Sequence, residues 1–482
     1  MTLSAILRPE KTMLCTVHCK KKQTSIELPA LSQAFSKQNN PSILGGNSAK
    51  KDGDKFSYWA AKPTEIFEFK KNEHEPFEKL QKILTKYQLN INCENPLPKN
   101  AFKGGWIGYF SYELGRYIEK LPKTTTDDMD MPLIRLCFYD RFLCYDHIEK
   151  QFWLVALELP GDTENPQQKF STLELIIDKV EKINVTATPK ADLEKINISA
   201  VNCNMDKDYY FRSVEKIKKY IYDGQVYQVN FSQRFNADFE ADPIDLFHWQ
   251  NHYNPSSYSA YLDMGDTQIV SASPEMYIIL QDRSISTKPI KGTRPYLDET
   301  RDPNAKKINA KNFHDLATSE KERAELNMII DLERNDMARI CQPGTRKIVQ
   351  PRTIETYPTV YHAVATLNGK LKKELDFCDI LKGMFPGGSI TGAPKISSME
   401  IIDETEPTER GVYTGSIGFI GIDQNAVLNI AIRTIIIKNK KAYAQTGGGI
   451  VADSDAQAEW DETLTKARAL LAGIDAVQNK KE

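Results

Sequence analysis

The amino-acid sequence predicts an α+β fold in which hairpins of short strands are combined with amphipathic helices. Two runs rich in β-forming residues, Leu133–Cys144 and Gln151–Leu159, flank a polar turn at 146–150, and this arrangement predicts a hairpin. The segment Ser171–Ile183 carries apolar residues at the spacing of an amphipathic helix. With 482 residues the chain is long enough for a large core, and roughly 150 residues per domain gives about three domains.

The composition is that of an ordinary globular protein and argues against several classes of function. Hydrophobic residues make up 40% and charged residues 27%, and the net charge is −2. This balance gives no basic surface for nucleic acid and no polybasic patch for a membrane, so small-molecule chemistry is the remaining default. The first 20 residues lack an apolar core of signal-peptide length, and no run approaches the ~18 apolar residues of a membrane helix. We therefore expect the chain to stay in the cytoplasm.

The 8 cysteines are scattered along the chain and predict reduced thiols rather than a disulfide framework. Cys15 and Cys19, with His18 between them, provide half of the ligands of a structural zinc site. No second Cys/His pair in the sequence completes that site, so we expect no zinc there.

The next elements follow in order along the chain. A glycine-rich run lies at 104–108, and a polar, patternless stretch at 184–207 is the candidate linker. A helix is predicted for 208–223, ending at Gly224, because glycine is a frequent residue after a helix. The alternating run 225–235 predicts a half-buried strand.

Four short strands lead to a lysine that is a candidate nucleophile. The strands are predicted at Tyr258–Leu262, Gln268–Ala272, Met276–Leu280 and Ser284–Lys288. They place Glu275 and Lys291 near strand ends, where a rigid backbone can hold reacting groups. Lys291 lies between Pro289 and Pro295 and directly before Gly292, so we interpret it as a loop lysine on a stiff rim that a ligand can approach. A solvated surface charge is the alternative interpretation.

Two glycine-rich segments have different interpretations. Gly387 and Gly392 have the spacing of a phosphate-binding loop, but Ala393 and Pro394 replace its lysine and hydroxyl residue, and no nucleotide is implied. We interpret this segment as a tight turn into a helix that begins near Pro394, with closure over a substrate as the alternative. The run Gly447–Gly449 offers consecutive unhindered N–H groups that can bind an anion, and a flexible turn is the alternative.

The last predicted helix has two faces. Ser454 and Gln457 have the spacing of a capping box, which predicts the start of the helix. At about 100° per residue, Glu459, Glu462 and Lys466 share one face. The opposite stripe is apolar and is expected to pack on the core; it contains Trp460, Leu464, Ala467 and Leu471. The charged face is therefore left to solvent or to a site.

A series of motifs gives the sequence a family resemblance. They are Ser271–Glu275, Pro289–Pro295, Ala324–Leu332, Pro386–Lys395, Tyr413–Gly418, Asn429–Thr434 and Gly447–Ser454. Together they resemble the chorismate-utilising enzymes, strongly over 206–472 and more weakly in the N-terminal part. Because it carries lysine at position 291, the sequence resembles the family members that aminate C4 of chorismate. The members that make anthranilate usually carry alanine at the matching position.

The resemblance implies an architecture of two interlocked subdomains around antiparallel β-sheets, with a β-sandwich core and flanking helices. It implies an N-terminal subdomain over 1–160, a helix and linker over 161–207, and a chorismate-binding catalytic domain over 208–476. Two departures from the family pattern occur. Tyr296 stands where arginine is frequent, and Ile43–Asn47 lacks the acidic and hydroxyl residues of the relatives' tryptophan-binding segment. We therefore expect no feedback inhibition by tryptophan.

The resemblance also implies a role for each candidate site residue. Lys291, as a neutral amine, is expected to attack C2 of chorismate while Glu275 protonates the departing C4 hydroxyl. Ammonia then adds at C4 and Lys291 leaves, giving a 4-amino product that leads to para-aminobenzoate and folate. Mg²⁺ is expected at Glu325 and Glu462, with Glu459 in support. Substrate contacts are expected from Gly292, Thr293, His362, Tyr413, Arg433, Gly447, Gly448, Gly449 and Lys466.

The ammonia is expected to come from a second protein. No cysteine of the sequence lies in the Gly-x-Cys-x-Gly setting that a glutamine amidotransferase needs. We therefore expect chorismate as the substrate and a separate glutaminase subunit as the partner. Two alternatives are production of anthranilate, against which Lys291 argues, and a catalytically silent binding subunit, against which Glu275, Glu325 and Glu462 argue.

Overall fold

A computed structural model describes residues 12–46, 55–91, 97–180, 188–190, 201–300 and 303–480. Within these ranges the chain forms one sheet of 13 strands and one of 10, with helices around them. Numbered in chain order, the larger sheet contains β1 (Met13–Lys22), β2 (Ser42–Leu44), β3 (Phe56–Ala60), β5 (Tyr87–Leu89), β8 (Arg141–Asp146), β9 (Gln151–Glu158), β10 (Asn202–Cys203), β11 (Gln228–Asp238), β12 (Tyr258–Asp263), β13 (Thr267–Ser273), β19 (Gly392–Ala393), β22 (Thr434–Lys438) and β23 (Lys441–Ile450).

The smaller sheet contains β4 (Glu65–Phe69), β6 (Gly105–Phe110), β7 (Ile134–Tyr139), β14 (Met276–Gln281), β15 (Ser284–Lys288), β16 (Ile290–Pro295), β17 (Lys347–Thr356), β18 (Val360–Lys370), β20 (Ser416–Gly421) and β21 (Ala426–Asn429). The α-helices are α1 (Leu28–Ser36), α2 (Pro76–Lys86), α3 (Pro166–Val180), α4 (Lys207–Tyr222), α5 (Pro243–Tyr253), α6 (Ala305–Thr318), α7 (Glu320–Ile340), α8 (Phe377–Met384), α9 (Lys395–Thr405) and α10 (Ala456–Gln478).

Both sheets join strands from the two ends of the chain. In the larger sheet β2 pairs with β12, and in the smaller sheet β6 pairs with β20, antiparallel in both cases. Among the strands that the structure describes, β1 and β5 form the one parallel pair. The predicted α+β fold with interlocked antiparallel sheets is confirmed, whereas the limits of the subdomains at 160 and 208 stay a prediction.

The two sheets face each other across an aromatic core. Tyr58 on β3 lies 5.7 Å, between ring centroids, from Phe419 on β20, so these side chains connect the larger sheet to the smaller one. The next residue, Trp59, points to the other face of β3, where its indole N–H donates to the Ser32 hydroxyl of α1 at 2.9 Å. This alternation follows from the two-residue period of a strand. The larger sheet therefore has a sandwich core on one face and a helix-covered core on the other.

Two neighbouring crossings between the sheets position the functional residues described below. The chain leaves β13 in the larger sheet and enters β14 in the smaller one through Pro274 and Glu275. It returns from β21 to β22 through 430–433. Backbone hydrogen bonds of 3.0 Å join the crossings, from Ile430 N–H to Glu275 C=O and from Ala272 N–H to Arg433 C=O. The rigid ends of four strands thus hold both crossings side by side.

Several predicted elements are confirmed, and one boundary is wrong. The four strands between 258 and 288 agree with β12 to β15 within one residue, and the helix predicted for 208–223 is α4. The hairpin is formed by β8 and β9, but the run predicted as one strand, 133–144, is divided at Asp140 between β7 and β8. The break falls at Asp140, a poor strand former, and it separates two strands that belong to different sheets.

Other elements shift or fall partly outside the described residues. The helix predicted for 171–183 begins at Pro166 and is described to Val180, and the strand predicted for 225–235 is β11. Residues 184–187 and 191–200 of the predicted linker lie outside the described ranges, as do Asn47 and Cys93. No disulfide bond joins the seven described cysteines. Among the helices that the structure describes, none is long and apolar enough to cross a membrane.

Candidate active site

The sequence predicted a loop position for Lys291, but the residue lies in strand β16. The pairing of β16 with β18 is irregular between Ile290 and Thr293, and Gly292 within that irregularity has a φ of +93°. Glycine is required there because its backbone conformation is left-handed and because a Cβ atom would lie 2.8 Å from Leu316 Cδ1. The Lys291 ammonium donates to the backbone carbonyl of Ser389 at 3.3 Å. A bulged strand therefore holds the amine against the glycine-rich loop.

Glu275 is the buried acid of the site. Its side chain lies at the crossing from β13 to β14, and its Oε1 accepts from the Ile290 N–H at 3.4 Å. Burial raises the pKa of Glu275, although a hydrogen bond with the Ser389 side chain and the charge of Lys291 act in the opposite direction. A carboxyl group that keeps its proton to higher pH is suited to donate it to a leaving group.

The amine of Lys291 has the electrostatic environment of a nucleophile. Burial is the main cause that lowers its pKa, and the charge of Lys466 lowers it further. The charges of Glu325 and Glu275 act in the opposite direction without reversing the shift. A lowered pKa increases the fraction of neutral amine, which is the form that attacks an electrophilic carbon.

Three predicted metal ligands approach one another from two helices, Glu325 from α7 and Glu459 and Glu462 from α10. Burial raises the pKa of Glu325 and of Glu459, and the charge of Glu462 contributes to both shifts. Burial would also raise the pKa of Glu462, but the ion pair with Lys466, 2.6 Å between Nζ and Oε1, lowers it overall. In the described residues no three carboxylate, imidazole or thiol groups form a closed metal cluster. Repelling hard oxygen donors nevertheless fit a site that Mg²⁺ completes with substrate oxygens and water.

Arg433 is an unpaired cation at the site. Its backbone φ is +52°, a left-handed conformation that is rare outside glycine, and no hydrogen bond or ion pair of its guanidinium occurs in the described part of the chain. Burial lowers the pKa of Arg433, and Tyr413 acts in the opposite direction. Burial and the Arg433 charge lower the pKa of His362 to about 3, so His362 is neutral, and its Nδ1 lies 2.8 Å from Thr293 Oγ1. An unpaired guanidinium in this position is a ready site for a carboxylate.

The glycine triplet is part of strand β23, so the flexible-turn interpretation was wrong. Gly447, Gly448 and Gly449 pair with 230–232 of β11, while the pairing of β22 with β23 ends at Ala444. The triplet also borders the charged face of α10, because Lys466 Nζ donates to the Gly447 carbonyl at 3.0 Å. A Cβ atom at Gly448 would lie 3.1 Å from Glu459 Oε2. Glycine thus keeps the strand close to the carboxylates.

Two residues without a predicted role line the same cleft. Gln228 on β11 is buried, its two amide atoms have no hydrogen-bond partner in the described residues, and a Cβ at Gly449 would lie 2.0 Å from its Nε2. Ser389 contacts both Glu275 and Lys291. Ser389 lies in the motif Pro386–Lys395 and Gln228 in the predicted strand 225–235, but neither pattern assigned a role to them, because their neighbours come from distant segments.

Helices α9 and α10 begin after the N-cap residues Pro394 and Asp455. The loop forms a single turn at Gly388–Ile390 and leads into α9, with Pro394 at the N-cap position just before the helix. The predicted capping box was wrong, because α10 begins after Asp455, whose side chain accepts from the Ala458 N–H. Ser454 instead donates its hydroxyl hydrogen to Glu459 Oε1 at 2.7 Å. The cap is displaced because the carboxylate of Glu459 holds Ser454.

The chain resembles proteins of known activity. A family model described as chorismate binding enzyme matches residues 47–472. Aminodeoxychorismate synthase component 1 of Bacillus subtilis is 37% identical, covering 78% of this chain and 77% of that protein. The protein of the same name from Escherichia coli is 34% identical with 83% coverage of each chain. Anthranilate synthase component 1 of Pseudomonas aeruginosa is 34% identical over 85% of this chain and 82% of that protein.

Solved structures agree with these comparisons. The crystal structure of anthranilate synthase component I from Streptococcus pneumoniae matches with a TM-score of 0.74 and 28% identity, covering 94% of this chain and 100% of that one. The menaquinone-specific isochorismate synthase of Escherichia coli matches with a TM-score of 0.70 at 16% identity, covering 96% of this chain and 95% of that one, which shows the shared fold.

Proposed function

The chain belongs to the family of chorismate-binding enzymes, and on that premise we propose that it is an aminodeoxychorismate synthase component that converts chorismate and ammonia to 4-amino-4-deoxychorismate. The observation that carries this proposal is the pair formed by Lys291 and Glu275. An amine with a lowered pKa and a buried acid with a raised pKa both contact Ser389, so a nucleophile and a proton donor act on one substrate.

The first step uses both groups at once. The lone pair of neutral Lys291 forms a bond to C2 of chorismate, the ring double bonds shift, and the C4–O bond breaks. Glu275 gives its proton to the departing hydroxyl, which leaves as water. The amine that has attacked loses a proton and remains bound as a secondary amine, so the enzyme carries the ring.

The second step reverses the first with ammonia in place of water. Ammonia forms a bond to C4, the double bonds shift back, and the C2–N bond to Lys291 breaks with return of a proton to the lysine nitrogen. The net reaction consumes one chorismate and one ammonia and releases one water and the 4-amino product. Splitting one substitution into two covalent steps lowers the barrier of each.

The two carboxylates of chorismate would be bound by different groups of the site. The guanidinium of Arg433 offers a bidentate contact to the enolpyruvyl carboxylate, with Tyr413 and the backbone of 447–449 nearby. Glu325 and Glu462, supported by Glu459, would hold Mg²⁺, which when bound neutralises the ring carboxylate. His362 and Thr293, joined by a hydrogen bond, form one wall of the site beside Gly292.

The proposal includes a partner. Relatives are named component 1, which indicates a second component in those systems. We propose that the second component here is a glutamine amidotransferase that releases ammonia beside this chain. This division of labour agrees with the absence of a nucleophilic cysteine motif from the sequence.

Production of anthranilate is the second candidate, because anthranilate synthase relatives are about as similar as the aminodeoxychorismate synthases. The products separate the two. We expect the purified chain with chorismate, Mg²⁺ and an ammonium salt at mildly alkaline pH to give a product that retains the enolpyruvyl group. Mass spectrometry identifies this product, and a coupled assay with lactate dehydrogenase detects pyruvate. Anthranilate formation with equivalent pyruvate release would refute the proposed function.

A further inference from the structure

Glu333 is a buried carboxyl group that the mechanism above does not use. It lies on α7, is 3% exposed, and forms no ion pair in the described residues. Its Oε2 accepts a hydrogen bond from the Thr287 hydroxyl on β15 at 3.3 Å. An ionisable group buried in this way is costly unless its proton or its charge has a partner.

The groups around Glu333 are mostly acidic. Asp336, almost one turn further along α7, is paired with Lys395 of α9 at 2.6 Å. Lys395 also donates to the carbonyls of Met384 and Pro386, both at 2.7 Å, so its ammonium is fully used. The hydroxyl of Tyr277 on β14 is buried and has no partner within the described chain. Lys395 is therefore the cation that acts on both Glu333 and Asp336, and its direct ion pair is with Asp336.

Contacts connect Glu333 to the reacting groups on two sides. A Cβ atom at Gly388 would lie 3.6 Å from Glu333 Oε1, and the next residue is Ser389, which contacts Glu275 and Lys291. On the other side, Thr287 begins the short path to the Ile290 N–H, which donates to the Glu275 carboxyl group. Glu333 thus contacts the two segments, 287–290 and 388–389, that hold the proton donor, and we call these two segments the back wall of the cleft.

We propose that Glu333 is a positioning residue for the acid, and that Glu333 and Glu275 form a coupled pair that keeps one proton at the back wall of the cleft. The proposal rests on the proposed function in one respect, the role of Glu275 as proton donor.

The electrostatic surroundings support this pairing. Burial raises the pKa of Glu333 to about 7, with the charges of Asp336 and Glu275 raising it and that of Lys395 lowering it. Two interacting carboxyl groups lose their protons in two steps that belong to the pair, and the second step occurs at higher pH than for either group alone. The pair therefore keeps one proton to a higher pH than Glu275 would alone.

The test is the pH dependence of chorismate consumption at a fixed concentration of free ammonia. Glu333→Gln keeps the volume and an acceptor for Thr287 but removes the charge, so Glu275 must hold its proton alone. We expect the alkaline limb of the kcat/KM profile to move to lower pH by about one unit. Glu333→Asp keeps the charge and is expected to retain the wild-type limb. Asp331→Asn is the matched control, because it removes a carboxylate from the same helix at a side chain that is 75% exposed.

A second variant is expected to shift the alkaline limb in the opposite direction. It also keeps the proposal testable if Glu333→Gln does not fold. Thr287→Val removes the hydroxyl that donates to the Glu333 carboxylate and therefore disfavours the charged form, which moves the alkaline limb to higher pH. A lower rate with an unmoved limb in the variants that fold would overturn the proposal and leave Glu333 a structural role. Because chorismate consumption is read directly, the shift is measurable even if the product proves to be anthranilate, which would refute only the proposed function.

Discussion

Replacing Glu275 by glutamine removes the acidic proton from the cleft and changes little else. The side chain is 4% exposed, and the glutamine carbonyl can still accept the Ile290 N–H bond. Burial raises the pKa of Glu275 in the folded state, so the stability that this group contributes is present at low pH and is lost as pH rises through that pKa. At mildly alkaline pH we therefore expect Glu275→Gln to unfold at the wild-type temperature or above it.

The expected loss of activity follows from the burial of the acid. General acid catalysis contributes about 10²–10⁴-fold to a rate. Since the side chain is almost fully enclosed, bulk water cannot take over as the proton donor, and the loss belongs in the upper half of that range. We expect a fall in kcat of about 10³–10⁴-fold, which corresponds to about 4–5.5 kcal/mol in the barrier.

The assay follows chorismate by its absorbance with saturating ammonium and Mg²⁺, beside a thermal unfolding curve of each variant. Glu374→Gln is the matched control, because it makes the same chemical change at an exposed position and is expected to keep the wild-type rate. A folded Glu275→Gln with less than a tenfold loss would show that the leaving hydroxyl receives its proton from another group.

Three further predictions follow from the site. Lys291→Ala is expected to lose most formation of the 4-amino product. Given high ammonium, it is expected to make some 2-amino product or anthranilate, because the space beside C2 opens to ammonia. Mass spectrometry identifies the products, and formation of the 4-amino product at the wild-type rate would exclude Lys291 as the nucleophile. Glu325→Gln and Glu462→Gln are each expected to be folded by circular dichroism but nearly inactive, and full activity of either variant, or of the wild type in a chelator, would remove the metal assignment. The purified chain is expected to use ammonium but not glutamine, and efficient glutamine-dependent turnover without a second protein would contradict the need for a glutaminase.

Local patterns were sufficient for the strands that lead to the site. The four strands between 258 and 288 are short runs that are separated by turn residues, so their boundaries are local properties. The run 133–144 changes sheet at Asp140, a residue type that is rare in strands. The two halves on either side are both strand-forming, and nothing in them shows which sheet each one joins. Assignment of strands to sheets therefore required the tertiary structure.

The caps and glycines show a second limit. Ser454 and Asp455 are both good N-cap residues, and only the bond from Ser454 to Glu459 in the folded chain decides between them. The triplet at 447–449 is typical of a turn by composition, but it is held as a strand by pairing with β11. In both cases a residue far along the chain, or on the next element, overrides the local preference.

The sequence predicted the reacting groups of the site but not the buried residues that surround them. Motif resemblance selected Lys291, Glu275 and Arg433, and the structure brings these residues together through the bulge of β16 and the paired crossings between the sheets. Gln228 and Glu333 were missed, because their significance lies in unpaired buried atoms and in neighbours from distant strands and helices. Sequence spacing carries no signal for such contacts.

The covalent role of Lys291 is tested most directly by mass spectrometry of the intact protein. The chain is incubated with chorismate and Mg²⁺ in the absence of ammonia, quenched in acid and digested for fragmentation. We expect an adduct with the mass of chorismate less one water on Lys291, absent from Lys291→Ala and discharged to the 4-amino product when ammonium is added before the quench. An unmodified Lys291 in a preparation that turns over chorismate once ammonium is supplied would contradict the covalent mechanism.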